Sequence, residues 1–172
     1  MKFRQFVMIM TGILFSISVI AQEMPAAQKN LMKFKGKWIC KNAKFEMGGK
    51  TYTGIYTVEC LPVNDNTGIL AHEKFVNDVI GTMLGENLIG YDPNLQQVHM
   101  YSIDNMGTAH DHRGYWIDDN HLFLQYQGAM DDKMYVEQID MKIKDANTMN
   151  FKLTGMLNGE TFQKGEFTYV RQ

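Results

Sequence analysis

Beyond residue 35 the chain alternates apolar and polar positions with a period of two, in short runs broken by turn residues. Met149, Phe151 and Leu153 fall on one face, with Asn150 and Lys152 opposite. Tyr135, Ile139, Met141 and Ile143 likewise share a face, with Gln138, Asp140 and Lys142 on the other, and Glu137 sits among the apolar set. That period belongs to half-buried β-strands, in which successive side chains point to opposite faces. Ten strands are predicted, over 36–46, 51–61, 68–76, 83–91, 96–104, 108–117, 121–127, 134–143, 147–157 and 160–171. Between them lie Gly48-Gly49, Asn158-Gly159 and Asp104-Asn105-Met106-Gly107, all hairpin signals, and Asx-rich loops such as Asp92-Pro93-Asn94. Connections this short imply antiparallel neighbours in sequence order. Ten such strands curl, and closure removes their exposed edges. The expectation is an all-β, up-and-down antiparallel ten-stranded barrel rather than an open sandwich, which needs longer crossovers.

Only one segment departs from the strand pattern. Met24 to Phe34 carries Pro25 and the spacing Ala27, Leu31, Phe34, which predicts a short helix over 22–34, placed as a lid or plug at one barrel end. The first residues are of another kind. Lys2 and Arg4 precede an apolar stretch from Phe6 to Ile20, and Val19-Ile20-Ala21 offers tolerated residues at −3 and −1. This reads as a bacterial signal peptide, residues 1–21, cleaved after Ala21. At about 15 residues the apolar stretch falls short of the roughly 20 that span a bilayer. The expected location is periplasmic or secreted, with a single barrel domain over 35–172 and no stable membrane span after cleavage.

Removing residues 1–21 from 172 leaves 151, with 15 basic and 19 acidic residues once Lys2 and Arg4 are gone. The charges are scattered in both signs, so no basic face exists to follow a phosphate backbone, which argues against nucleic acid as a partner. Cys40 and Cys60 are the two cysteines. Export permits a disulfide between them, and both lie in the first predicted hairpin. A tight turn at Gly48-Gly49 would leave them about three positions out of register. A bulge would bring them opposite, and two separate buried thiols are the alternative.

The first strand opens Phe34-Lys35-Gly36-Lys37-Trp38. Gly-x-Trp after a short helix resembles the opening motif of calycins, the superfamily of lipocalins and fatty-acid-binding proteins. Leu88-Ile89-Gly90-Tyr91-Asp92, Ser102-Ile103-Asp104-Asn105-Met106-Gly107 and Gly114-Tyr115-Trp116 look like the bacterial DUF1579 family, over residues 31 to 171. The resemblance implies a calycin-like barrel with Trp38 filling its narrow end, and it brings no established catalytic residues. The fold relation extends to nitrobindin-type haem barrels. Their C-terminal haem-ligating histidine has no distinct counterpart here, the last histidine being His121.

Candidate chemistry centres on Thr108-Ala109-His110-Asp111-His112-Arg113-Gly114-Tyr115-Trp116. His110 and His112 are two apart on a strand and share a face, a spacing that presents two imidazoles to one metal ion. A turn on Met106-Gly107 with Asn105 facing Thr108 pairs Ile103 with His110, Tyr101 with His112 and His99 with Gly114. That register clusters His99, Tyr101, His110 and His112, and a loop one residue different reverses the face of the preceding strand. Glu137 and Glu86 are candidates to face inward. The ligand-facing candidates are Trp38, Tyr101, His110, His112, Trp116 and Glu137, and the metal candidates His110 and His112, with His99 or a carboxylate as third ligand. Methionines such as Met100, Met134, Met141, Met149 and Met156, with Tyr52, Tyr56, Tyr101 and Tyr126, suit the wall of a greasy cavity. No nucleophile-elbow serine, phosphate-cradling glycine loop, His-Glu-x-x-His or Cys-x-x-Cys occurs. The functional expectation is a non-enzymatic barrel with a cavity of a few hundred cubic ångströms for a small apolar or amphipathic ligand. The alternative is a metal-binding protein or enzyme built on His99, His110 and His112.

Overall fold

The structure, a computed structural model, describes residues 24–172, so the expected signal segment 1–21 and its cleavage point lie outside the described residues. A helix α1 (Ala26–Leu31) runs into a 3-10 turn (Met32–Phe34). Ten strands follow: β1 (Gly36–Met47), β2 (Lys50–Val63), β3 (Gly68–Asn77), β4 (Gly81–Asp92), β5 (Gln97–Asp104), β6 (Ala109–Asp118), β7 (His121–Met130), β8 (Lys133–Asp145), β9 (Thr148–Leu157) and β10 (Glu160–Arg171). Each pairs antiparallel with the next, and β1 also pairs with β10, closing an up-and-down barrel. The period-two pattern becomes an inside and an outside. On β8, Tyr135, Glu137, Ile139, Met141 and Ile143 are buried in strict alternation.

The turns follow their chemistry. Gly48 and Gly49 both have positive φ, 56° and 76°, so Met47 faces Lys50 across a two-residue loop. From Cys40 to Ala43 the pairing of β1 with β2 slips by one at a bulge, as Cys40 faces Tyr56 and Ala43 faces Gly54. This bulge does not join the cysteines. Cys60 faces Gly36, four residues further along β2 than Tyr56, a separation of about 13 Å at strand rise. A disulfide needs Cα atoms within about 7 Å. The expected Cys40–Cys60 bond is therefore corrected: both are buried free thiols.

One end of the barrel is plugged. Leu31, Phe34 and Trp38 are fully buried, and α1 packs against β3 and β4. Trp38 Nε1 donates to the Phe34 carbonyl at 2.7 Å, while the Arg171 guanidinium lies 4.1 Å over the Trp38 ring. Arg171 also donates to the carbonyls of Lys33, Lys35 and Ala146. Lys33 Nζ donates to the Asp119 carbonyl and to Asn120 Oδ1, and Asn30 Nδ2 to Asp119 Oδ1. These bonds tie the helical segment and the end of β10 to the β6–β7 and β8–β9 turns. The β1–β2, β3–β4, β5–β6, β7–β8 and β9–β10 hairpins gather at the opposite end. Among the described residues no helix is long and apolar enough to cross a membrane.

Candidate functional site: a polar belt in the barrel cavity

The cavity opens on the hairpin end and holds about 250 Å3. Met47, Ile80, Met83, Met106, Met130 and Phe162 line its outer part. One or two inward positions further down the strands the lining turns polar: Tyr56, Glu73, Asn87, Ser102, His110, His112, Tyr135, Glu137 and Gln163. Below them it is apolar again, with Met100, Ile139, Phe151, Leu153 and Phe167. Among the described residues neither lysine nor arginine lines the cavity, so the full charges of fixed sign in that lining are carboxylates.

Register decides who belongs to this belt. Ser102 faces His110, Met100 faces His112 and Val98 faces Gly114, one residue away from the expected pairing. The turn is a three-residue loop, Asn105 to Gly107, with Asp104 N–H bonded to the Thr108 carbonyl. Asp104 Oδ1 accepts the N–H groups of Met106 and Thr108, and Gly107 takes φ 90°. That is the hairpin in which a turn is followed by a glycine in the left-handed region. A one-residue slip reverses a strand's faces. Tyr101 is thus turned outward and half exposed, at 53 %. His99 lies on the outer wall with its Nδ1 3.5 Å from Asp111 Oδ1. Both are corrections to the clustering expected from sequence.

Other candidates also lie elsewhere. Trp38 belongs to the plug. Trp116 stacks on Phe34 at 5.8 Å beneath it and does not line the cavity. Glu86 points outward, Oε2 2.5 Å from His72 Nδ1. His110, His112 and Glu137 are brought together inside.

Glu137 is the centre of the belt. Its Oε1 lies 2.7 Å from His112 Nε2 and 3.7 Å from His110 Nδ1, the second an ion-pair rather than a hydrogen-bond distance. Its Oε2 accepts from Tyr135 Oη at 2.6 Å and from Gln163 Nε2 at 2.6 Å. Gln163 Nε2 also approaches Tyr135 Oη. Burial pushes the Glu137 carboxyl upward, but the nearby His110 imidazole and the bonds from His112 and Tyr135 outweigh it and bring its pKa down to about 2. Burial and the Glu137 charge push the Tyr135 hydroxyl above its ordinary range, keeping it a donor. His110 stacks on Tyr126, centroids 3.9 Å apart and planes 13° apart, which fixes its ring. His112 Nδ1 and Ser102 Oγ are buried without a partner.

A second carboxyl sits across the cavity, and its sequence signal was available. Ala71, Glu73 and Phe75 alternate on one face of β3, so Glu73 shares the apolar side. Tyr56 Oη donates to Glu73 Oε2 at 2.7 Å. Burial raises the Glu73 pKa, against the hydrogen bonds of Tyr56 and Asn87, and the Glu137 charge raises it further. One cavity thus holds two carboxyls driven in opposite directions. Ser102, Asn87 and Gln163 were also not anticipated. Their polarity alone marks them as surface residues, and only closure places them inside.

No family model matches the chain, and no curated protein sequence matches it. Among solved structures the fold is similar to that of Rv2717c from M. tuberculosis, with a TM-score of 0.66 and 15 % identity over 87 % of this chain and 98 % of that one. Likeness at this identity shows the fold: a closed antiparallel β-barrel of the same general build.

Proposed function

We propose that the chain is an exported carrier that takes a small amphipathic molecule with a non-anionic head into its barrel. One observation carries this reading: a cavity of about 250 Å3, plugged at one end, with an apolar outer part and a polar belt that, among the described residues, has no lysine or arginine. Ligand pockets combine apolar walls with a few fixed polar groups, and this volume lies below the usual ~300–1,000 Å3, which limits the ligand to a small one. The methionine side chains at the mouth adapt to an alkyl or aromatic body. A fatty-acid carboxylate would meet the Glu137 carboxylate with no lysine or arginine among the described lining residues to compensate it, and burying an unpaired charge costs several kcal/mol. A neutral head suffers no such penalty. Export, with removal of residues 1–21, belongs to the same proposal and is supported by the Lys2–Arg4, apolar, Ala21 pattern.

The test uses a neutral fluorescent apolar probe such as Nile red with the chain lacking residues 1–21. The probe is expected to bind, and a medium-chain alcohol to displace it far better than the carboxylate of equal chain length at pH 7.5. Absence of probe binding, or equal displacement by the carboxylate, would overturn the reading.

A further inference from the structure

We propose that His110, His112 and Glu137 form a mononuclear site for a divalent first-row transition ion of the zinc type, with an open coordination position facing the cavity.

One ligand atom from each residue lies within 4.8 Å of the other two. The two imidazoles come from alternate positions of β6, and the carboxylate from β8, across the intervening β7. At bond lengths of ~2.0–2.2 Å, tetrahedral ligand atoms stand about 3.3 Å from one another. The observed separations from Glu137 Oε1 are 2.7 Å to His112 Nε2 and 3.7 Å to His110 Nδ1. They bracket that value, so seating an ion asks one ring to withdraw from Glu137 and the other to approach it, with the ligand nitrogens of the two imidazoles within 4.8 Å of each other.

The surroundings suit such a site. Glu137 Oε2 is held by Tyr135 and Gln163, which orients Oε1 as a single-oxygen ligand. The stacked Tyr126 holds the plane of His110. Such outer partners orient metal ligands. Among the described residues no lysine or arginine lines the cavity to repel a cation, and Glu73 adds a second acidic group. Two imidazoles and one carboxylate leave a tetrahedral ion one position short. Structural zinc sites are closed with four protein ligands, whereas three ligands and a vacancy characterise sites that bind or activate a small molecule. All three residues line the cavity, so that vacancy meets whatever occupies it.

The test is calorimetric titration of untagged, chelator-treated protein with zinc chloride, and with cobalt(II) followed by visible absorption. One equivalent of zinc is expected to bind, with an intense cobalt spectrum of four-coordinate type. His110→Ala should weaken zinc binding at least 100-fold with unchanged circular dichroism. His72→Ala and His121→Ala, on the outer wall, should leave it unchanged. Should His110→Ala fail to fold, His110→Gln and the cobalt spectrum of the parent protein decide. No stoichiometric binding, an octahedral cobalt spectrum, or affinity that survives loss of His110 would overturn the site. Nile red binding in the metal-free protein is read separately, so failure here leaves the carrier reading to its own test.

Discussion

His112 Nε2 meets Glu137 Oε1 at 2.7 Å, although β7 separates their strands and 25 residues separate them in sequence. With Glu137 ionised, the carboxylate accepts, so the proton of this contact sits on Nε2, while Nδ1 is buried without a partner. The bond is a charge-assisted link in the interior, since Glu137 is ionised and His112 is almost wholly buried. Its strength shows in what its removal exposes.

Glu137→Gln keeps the shape of the side chain and discards the charge that His112, Tyr135 and Gln163 all address. It is expected to lower stability by about 1–3 kcal/mol, the range for a buried hydrogen-bonded group left partly unsatisfied. Tyr135→Phe removes a single donor and should cost about 1 kcal/mol. Urea unfolding of both variants and of the double variant measures this. Strict additivity would show that the two side chains do not act as one network.

The two carboxyls give opposite pH signatures in metal-free protein. Glu137 has a folded pKa of about 2, below its ordinary 4.5, so the stability it contributes is present above pH 4.5 and fades as pH falls toward 2. The penalty of Glu137→Gln should therefore be larger at pH 7 than at pH 3. Glu73 has its pKa raised, so its contribution is full below 4.5 and is lost as pH climbs through the raised value. Glu73→Gln should gain on the parent protein between pH 4 and pH 8. Urea midpoints at these pH values check both signs, and a gain on the acid side for Glu73→Gln would contradict its placement.

Neither cysteine is expected to react in the folded state. Cys40 and Cys60 are buried, and burial together with the Glu73 charge pushes the Cys60 thiol up to about 12. A disulfide-type thiol reagent should titrate two thiols after unfolding and almost none before it. A reducing agent should leave the melting temperature unchanged. Fewer than two thiols in the unfolded chain would reveal the bond that the register forbids.

The plug predicts a separation of stability from binding. Trp38→Ala removes a fully buried indole and its bond to Phe34, at an expected cost of about 3–5 kcal/mol. Trp38 does not line the cavity, so where the variant remains folded its Nile red affinity should match that of the parent within a factor of two or three. Met83→Arg, at the mouth, should do the reverse: abolish probe binding with little change in the unfolding midpoint.

Sequence alone determined the strands, their order and the plug, because these rest on local physics. Period-two runs such as 149–153 specify half-buried strands, and Gly48-Gly49 or Asp104 to Gly107 specify hairpins that join neighbours. Glu137 was legible as a candidate to face inward for the same reason, being an odd-numbered member of an apolar face. Only the tertiary structure decided the site. The loop from Asn105 to Gly107 is one residue from the expected register, and since side chains alternate, that residue moved His99 and Tyr101 outside and brought Ser102 and Met100 in. Apart from Tyr135 on its own strand, the partners of Glu137 come from β6 and β10, and nothing local links strands that are not neighbours. Their meeting, like the separation of Cys40 from Cys60, is fixed by closure and stagger of the whole barrel.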